Sequence, residues 1–171
     1  MDYQKKKDRL GAKQKIAVVF ELVVLVIVAW LVCKILQVKA SSITKINDIS
    51  LYELKENAVT MQIDRCELVN NEIIISGWAF LKDQNMEYFD MAILLMDKKD
   101  GIYYQIPTAY QERKDVTIEY GAEKYDYNHS GFFARAKATK LPSKGEFEVF
   151  INYDKHRRNI LQKTDSVVSL K

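Results

Sequence analysis

The sequence contains few side chains suited to acid–base chemistry, and they are not grouped as a catalytic site requires. His129 is followed by Ser130 in a turn-rich stretch, and His156 lies among basic residues. Because the members of a catalytic triad come from separate segments of a chain, adjacent His129 and Ser130 do not indicate one. The sequence has no glycine-rich phosphate loop, HExxH motif or CxxC motif. A glycosidase-like pair of distant carboxylates stays open, but no two of them stand out. We therefore expect no catalytic residues and no enzymatic activity.

The two cysteines indicate neither a disulfide nor a metal site. Cys33 lies in a long apolar run, whereas Cys66 lies in the more polar remainder of the chain, so a bond between them is not expected. Two cysteines are also too few for a zinc site of the usual spacing. We expect Cys66 to be a small core residue, with no metal and no cofactor. An exported domain without disulfides suits a Gram-positive type of cell envelope.

Aromatic residues supply the strongest binding signal. Seven of the ten tyrosines lie between residues 88 and 127. A tyrosine ring has a flat apolar face and a polar tip, which suits the face of a sugar or a protein interface. Packing in a core or on an ordinary surface is the competing interpretation, and it is the favoured one both for Trp78 and for the tyrosines. The aromatic candidates for ligand binding are Trp78, Tyr103, Tyr104, Tyr110, Tyr125 and Tyr127.

Basic residues supply the remaining candidates. Arg113 and Asp115 are two residues apart and would share one face of a strand, which favours an ion pair. The cluster of basic residues at 155–158 is expected in a hairpin turn. It is either a solvated loop or a contact for an anionic wall polymer, which would bind it electrostatically. The basic candidates for ligand binding are Arg113, Lys155, Arg157 and Arg158.

An N-terminal anchor is expected to hold these residues at a membrane. Residues 16–33 read IAVVFELVVLVIVAWLVC, with Glu21 as the only charge, and apolar residues continue to position 38. A helix needs about 20 mostly apolar residues to span a bilayer. Residues 1–15 hold six basic residues, which places the N-terminus in the cytoplasm. We predict a basic cytoplasmic tail over 1–15 and a transmembrane signal anchor over 16–38.

Two questions about this segment stay open in the sequence. The residues around Ala40 are small enough for a signal peptidase, although the apolar run is longer than that of most signal peptides. Cleaved or not, the segment exports the same domain. Glu21 either contacts another helix or a basic residue of a partner, or lies near the cytoplasmic interface.

The remainder of the chain has the periodicity of strands. Polar and apolar residues alternate over residues 59–64, 115–120, 132–139 and 146–153, and the runs 73–81 and 91–96 are apolar on both faces. No amphipathic helix is apparent after the anchor. We predict a polar stalk over 39–57 and an antiparallel β-sandwich of about eight strands over 58–171, immunoglobulin-like or of the jelly-roll type.

Three short motifs within this region carry a resemblance. They are ISGWAF at 75–80, RKDV at 113–116 and SGF at 130–132. Their order and spacing resemble small extracytoplasmic β-sandwich domains of Gram-positive bacteria, which are similar to modules found beside cell-surface polysaccharide machinery. The resemblance covers roughly residues 59–168. It implies a cell-envelope setting with a glycan or assembly role, and it carries no catalytic residues.

Charge and anchor together suggest two functions. From Ser41 onward the chain has 18 basic and 20 acidic residues, so it lacks the excess of basic charge expected of a nucleic-acid-binding domain. The leading hypothesis is a non-catalytic, single-pass membrane protein whose extracytoplasmic sandwich binds or positions surface glycan or the machinery that assembles it. The alternative is a structural subunit of a membrane complex, recognised through its transmembrane helix and Glu21.

Overall fold

The computed structural model of this 171-residue chain consists of two compact units, Met1–Ala40 and Ser41–Lys171. The structure describes residues 21–32, 42–86, 91–121, 124–141, 144–155 and 158–170, with the backbone alone at residues 155 and 158. Each unit is taken by itself below.

The first unit contains helix α1, which is described over residues 21–32. Its apolar side chains are exposed, as Leu25 (66%) and Val26 (67%) illustrate. Residues 16–20 and 33–38 of the predicted span lie outside the described residues, as does the predicted tail over 1–15. Within the described part of the chain, no helix combines the length and the apolar character needed to cross a membrane. The transmembrane anchor stays a prediction.

The second unit is mainly β and contains two sheets, which confirms the predicted fold class at that level. The first sheet has six strands in the order β1-β6-β5-β9-β10-β2, and the second has four in the order β3-β4-β8-β7. All pairs are antiparallel except β2–β10, which is parallel. The strands are β1 (Thr44–Ile46), β2 (Tyr52–Leu54), β3 (Thr60–Val69), β4 (Glu72–Phe80), β5 (Met91–Asp97), β6 (Tyr103–Ile106), β7 (Thr108–Gln111), β8 (Gly131–Lys137), β9 (Gly145–Lys155) and β10 (Arg158–Leu170).

The main core lies between the two sheets. Alternate residues of each central strand point into it, because successive side chains of a strand lie on opposite faces. These core residues include Ile73, Ile75, Phe132 and Ala134 from the four-stranded sheet and Ile93, Leu95, Val149 and Ile151 from the six-stranded sheet, each 0% exposed. The period of two that was read in the sequence therefore comes from this burial.

The sequence pair Asn70-Asn71 predicts a turn between strands, and the structure confirms it. Asn70 and Asn71 connect β3 to β4, with φ angles of 49° and 62°. Two-residue hairpin turns require positive φ values, which asparagine tolerates better than most residues. The amide side chains therefore explain why the chain reverses here.

The strand predicted over residues 115–120 is wrong. The chain forms helix α2 (Lys114–Tyr120) instead. Val116 is 1% exposed and Tyr120 packs on an aromatic cluster of the sheet, whereas Ile118 is 83% exposed. Residues 116 and 120 share a face both in a strand and in a helix, where they are one turn apart. The apolar spacing was therefore ambiguous. Ile118 distinguishes the two structures, because a strand would place it on the same face as residues 116 and 120, whereas the helix exposes it.

The expected stalk over 39–57 contributes strands to the fold. We call residues 44–54 the strap, because β1 pairs with β6 at one edge of the six-stranded sheet and β2 pairs with β10 at the other. Six residue steps from Ile46 to Tyr52 reach at most about 21 Å. Five gaps between neighbouring strands of a flat sheet would separate its edges by about 24 Å. The six-stranded sheet must therefore curl.

The strap covers a second, smaller core on the outer face of this sheet. Leu94, Phe150 and Leu161 are buried there, at 0%, 4% and 1% exposure. Ile46 and Tyr52, at the two strands of the strap, pack against them. Both faces of the six-stranded sheet are thus protected from water, one by the other sheet and one by the strap.

We predict that Leu161→Ala destabilises the second unit by about 2–5 kcal/mol, because a buried leucine loses its contacts and leaves a cavity beneath the strap. Leu54→Ala is the matched control, since Leu54 pairs with Leu161 across β2 and β10 but is 66% exposed. The control should change stability by no more than about 0.5 kcal/mol. Urea unfolding of a fragment of residues 41–171 measures both. Equal effects of the two substitutions would contradict this account of the strap.

Candidate functional site

An aromatic cluster holds α2 on the four-stranded sheet. Trp78 and Phe80 alternate with the inward-facing residues of β4, so they point away from the six-stranded sheet. The Tyr120 ring lies 5.1 Å from that of Trp78 and 5.6 Å from that of Phe80, centre to centre. Tyr127 stacks on Phe80 at 4.0 Å. The cluster therefore buries one side of the helix.

Hydrogen bonds join the segment after α2 to the helix. The backbone N–H of Tyr127 donates to Oγ1 of Thr117 at 2.7 Å. The hydroxyl oxygen of Tyr127 accepts a hydrogen bond from the backbone N–H of Asp83 at 3.1 Å. These bonds hold the helix, the segment 124–128 and the end of β4 together.

An open cleft of about 630 Å³ lies between these segments. Polar groups on its wall are fixed by hydrogen bonds: Oδ1 of Asn85 accepts from the N–H of Asp126 (3.0 Å), and Oδ1 of Asp126 accepts from the N–H of Asn128 (2.8 Å). Among the described residues, the side-chain amide of Asn128 forms no hydrogen bond. The cleft is lined by Asn85, Thr117, Ile118, Lys124, Tyr125, Asp126 and Asn128.

Arg113 connects the start of α2 to β3 and β8. Its guanidinium donates to both carboxylate oxygens of Asp115 (2.7–3.1 Å) and to Oδ2 of Asp64 (2.5 Å). Asp64 lies at an irregularity in the pairing of β3 with β4. The predicted Arg113–Asp115 ion pair is confirmed, although it lies at the start of a helix and not on a strand. The hydrogen bond to Asp115 raises the pKa of Arg113, and the hydrogen bond from Arg113 lowers the pKa of Asp115.

Two glycines of the sequence motifs are required by close backbone contacts. A Cβ at Gly77 would lie 2.1 Å from the backbone oxygen of Gln62. A Cβ at Gly131 would lie 2.2 Å from the backbone oxygen of Gln111 and 2.5 Å from Cγ of Arg113. Any side chain would therefore push β4 away from β3, or β8 away from β7 and Arg113.

Four predicted binding residues lie at or near the cleft. Tyr125 lines it directly. Tyr127 (1% exposed) and Trp78 (5% exposed) are buried in the aromatic cluster behind it, and Tyr125 lies 6.2 Å from Tyr127 between ring centres. Arg113 positions the helix. Of these four, Tyr125 is the one whose side chain reaches the cleft.

The other aromatic candidates lie elsewhere. Tyr103 packs edge-on against Phe150 in the core beneath the strap, and Tyr104 packs against Phe147 on the opposite face of the same sheet. Tyr110 is 42% exposed and its ring centre lies 5.2 Å from that of His129. The structure therefore separates the tyrosines that the sequence grouped.

The charged candidates outside this region are described only in part. Lys155 and Arg158 pair at the β9–β10 hairpin, as expected, while Arg157 and the side chains of Lys155 and Arg158 lie outside the described residues. Glu21 is exposed on α1.

Sequence reasoning missed most of the cleft. Asn85 and Asp126 lie in irregular segments, and Asn128 begins a short 3₁₀ helix (Asn128–Ser130), so no periodic pattern links them. The sequence offered only one usable signal, the polar residues that flank Tyr125 and Tyr127. The other lining residues lie within 117–128, but Asn85 joins them from some thirty residues or more earlier in the chain, and no local pattern predicts that contact.

The described residues contain no group of three or more His, Cys, Asp or Glu side chains that could hold a metal ion. Cys66 is half-buried against the main core, and its burial raises the pKa of the thiol. Such a thiol is a poor nucleophile near neutral pH.

No protein-family profile matches this chain, and no curated protein is significantly similar to it. The description of this protein therefore depends on its own structure. Its second unit is mainly β and has two sheets, and the residues that line its open cleft include a tyrosine, two asparagines and an aspartate.

We predict that Asp115→Asn destabilises the second unit near neutral pH and not in acid. Because Arg113 lowers the pKa of Asp115 below its usual 3.8, the carboxylate stabilises the fold at higher pH, and this contribution is lost as the pH falls through the folded-state pKa. The difference in unfolding free energy between wild type and variant should shrink as the pH falls from about 7 to about 3. Urea unfolding at several pH values measures it.

Asp165→Asn is the control for this experiment. Asp165 is an exposed carboxylate on β10, and it forms no ion pair with any other described residue. Its substitution should have a small effect at every pH. A pH-independent effect of Asp115→Asn would contradict the assigned role of the Arg113–Asp115 pair.

Proposed function

We propose that this chain is a non-catalytic, single-pass cell-envelope protein whose extracytoplasmic β-sandwich binds surface glycan in the cleft beside α2. Residues 16–38 anchor it in the cell membrane, and the basic tail over 1–15 lies in the cytoplasm. The observation that carries the binding function is the cleft and the chemistry of its wall.

The wall of the cleft suits carbohydrate. The ring of Tyr125 suits the apolar face of a sugar, which would stack there in place of Nζ of Lys124, 4.8 Å from the ring centre. The amides of Asn85 and Asn128 both donate and accept hydrogen bonds, as does a sugar hydroxyl, and the carboxylate of Asp126 accepts them. Lys124 and Asp126 contribute one charge of each sign to the lining, so a neutral glycan fits better than a strongly anionic one.

Asp126 has a positioning role in this wall. Its Oδ1 accepts a hydrogen bond from the backbone N–H of Asn128 at 2.8 Å. The carboxylate therefore holds the turn that brings Asn128 to the cleft.

Direct binding to wall polysaccharide tests the proposal. Trp78 is the only tryptophan in a fragment of residues 41–171 and contacts Tyr120 of α2, so its fluorescence can report on the cleft. We expect Gram-positive wall polysaccharide to change this fluorescence saturably. Tyr125→Ala should weaken binding by roughly fivefold, because the loss of one stacked ring costs on the order of 1 kcal/mol.

Matched variants separate ring stacking from hydrogen bonding. Tyr125→Phe keeps the ring and should bind within a few-fold of wild type. Asn128→Ala removes an amide and should weaken binding, whereas Lys137→Ala, at the other end of β8, should not. If the Trp78 fluorescence of the wild-type fragment does not change on titration with wall polysaccharide, the proposal is contradicted.

Glu21 supports a second candidate function, a structural subunit of a membrane complex. A carboxylate within an apolar span is costly unless it contacts a partner or reaches the interface. Glu21 is exposed on α1 beside apolar side chains such as Leu22 and Leu25. On this proposal α1 recognises another membrane protein, and the sandwich serves as a scaffold.

Replacing Glu21 distinguishes the two candidates. If α1 recognises a partner through its charge, Glu21→Leu should abolish co-purification of that partner from detergent-solubilised membranes. Glu21→Gln, which keeps the shape and hydrogen-bonding capacity of the side chain, should retain part of it. An unchanged set of co-purifying proteins for both variants removes the support for the subunit function.

A further inference from the structure

The strap presents apolar side chains to the outside as well as to the core. Ile49, Leu51 and Leu54 are 39%, 72% and 66% exposed. Grouped exposed apolar side chains mark contact surfaces more often than isolated ones do, and Leu51 and Leu54 are among the most exposed large apolar side chains of the described residues in this unit. We propose that this outer surface of the strap rests on the membrane, with Leu51 and Leu54 inserted among the lipid headgroups. The proposal rests on the anchor in the proposed function.

The length of chain before the strap argues for lipid as the occupant. The predicted span ends at residue 38 and β1 begins at Thr44. Six residue steps reach at most about 21 Å. A chain held in the bilayer at residue 38 therefore keeps the edge strand β1 within that distance of the membrane surface. The strap begins at this edge, so Ile49, Leu51 and Leu54 follow closely after the predicted span in the chain.

The charges around the strap suit insertion better than electrostatic attraction. Glu53 forms an ion pair with Lys55 at 3.0 Å, and Asp48 accepts a hydrogen bond from the backbone of Ser50. These groups give the strap no excess of positive charge. Contact with lipid therefore depends on the apolar side chains and should not require anionic lipid.

The same arrangement directs the cleft away from the membrane. The strap covers the outer face of the six-stranded sheet, whereas α2 and the aromatic cluster lie on the outer face of the four-stranded sheet. These faces lie on opposite sides of the second unit. A unit that rests on its strap would present the cleft to the cell wall.

Fluorescence quenching by brominated lipid tests the proposal in the full chain, reconstituted into vesicles of brominated phosphatidylcholine. In a Trp30→Phe background, Leu51→Trp places a reporter on the strap, and Ile118→Trp places a matched reporter on α2, where Ile118 is 83% exposed. Trp78 contributes the same background to both. We expect the Leu51→Trp chain to be quenched at least about twice as strongly as the Ile118→Trp chain, in neutral and in anionic vesicles alike. Leu54→Trp provides a second strap reporter.

Each outcome decides a separate point. Quenching of Trp30 in the wild-type chain reports on the anchor, so its absence overturns both the anchor and this proposal. Quenched Trp30 with equal quenching of the strap and α2 reporters overturns the membrane contact and leaves the anchor intact. Cross-linking between strap residues of two chains, without quenching, would assign the surface to a second copy and would also overturn it. Thermal unfolding identifies any variant that does not fold.

Discussion

Trp78 and Phe80 face outward from the four-stranded sheet, where two large aromatic rings would otherwise meet water. Tyr120 and Tyr127 cover them. Burial of a large apolar side chain contributes about 1.5–3 kcal/mol, whereas a helix of seven residues does not form by itself in water. The packing of these rings therefore holds α2 in place. Thr117, the segment after the helix and the whole wall of the cleft depend on it.

Polar contacts then determine where the helix begins. Arg113 binds Asp64 and Asp115 at once, and its backbone N–H donates to the carbonyl of Asn128 at 2.9 Å. The space that Arg113 occupies above β8 exists because Gly131 has no side chain. Packing fixes one side of α2, and the surface ion pair between Arg113 and Asp115 fixes its first turn. Together they give a short helix a single position beside the cleft.

Each sheet of the second unit has a cover on its outer face, and no sequence pattern predicted the fold of either cover. The strap lies on the six-stranded sheet, and α2 with its aromatic partners lies on the four-stranded sheet. The two proposed surfaces, one for lipid and one for glycan, belong to these covers and not to the central strands of the sheets. The central strands support the covers, and the covers supply the chemistry.

The periodicity of two in residues such as Phe132, Ala134, Val149 and Ile151 determined the mainly β fold, because alternate side chains of a strand face one core and the pattern is local. Asn70 and Asn71 likewise predicted their own turn. The helix at 114–120 could not be read in the same way, since residues 116 and 120 share a face in either structure. The position of α2 was decided by rings on β4 that are some forty residues away.

The strap and the cleft were decided only by tertiary structure. Nothing in the polar sequence over 39–57 indicates that Ile46 and Tyr52 pack against the second core from opposite edges of one sheet. One short segment can reach both edges only when the sheet has curled. Asn85 and Asn128 meet at the cleft for the same reason: they are distant in the chain, and folding brings them together. Local patterns determine elements, and contacts between distant segments determine sites.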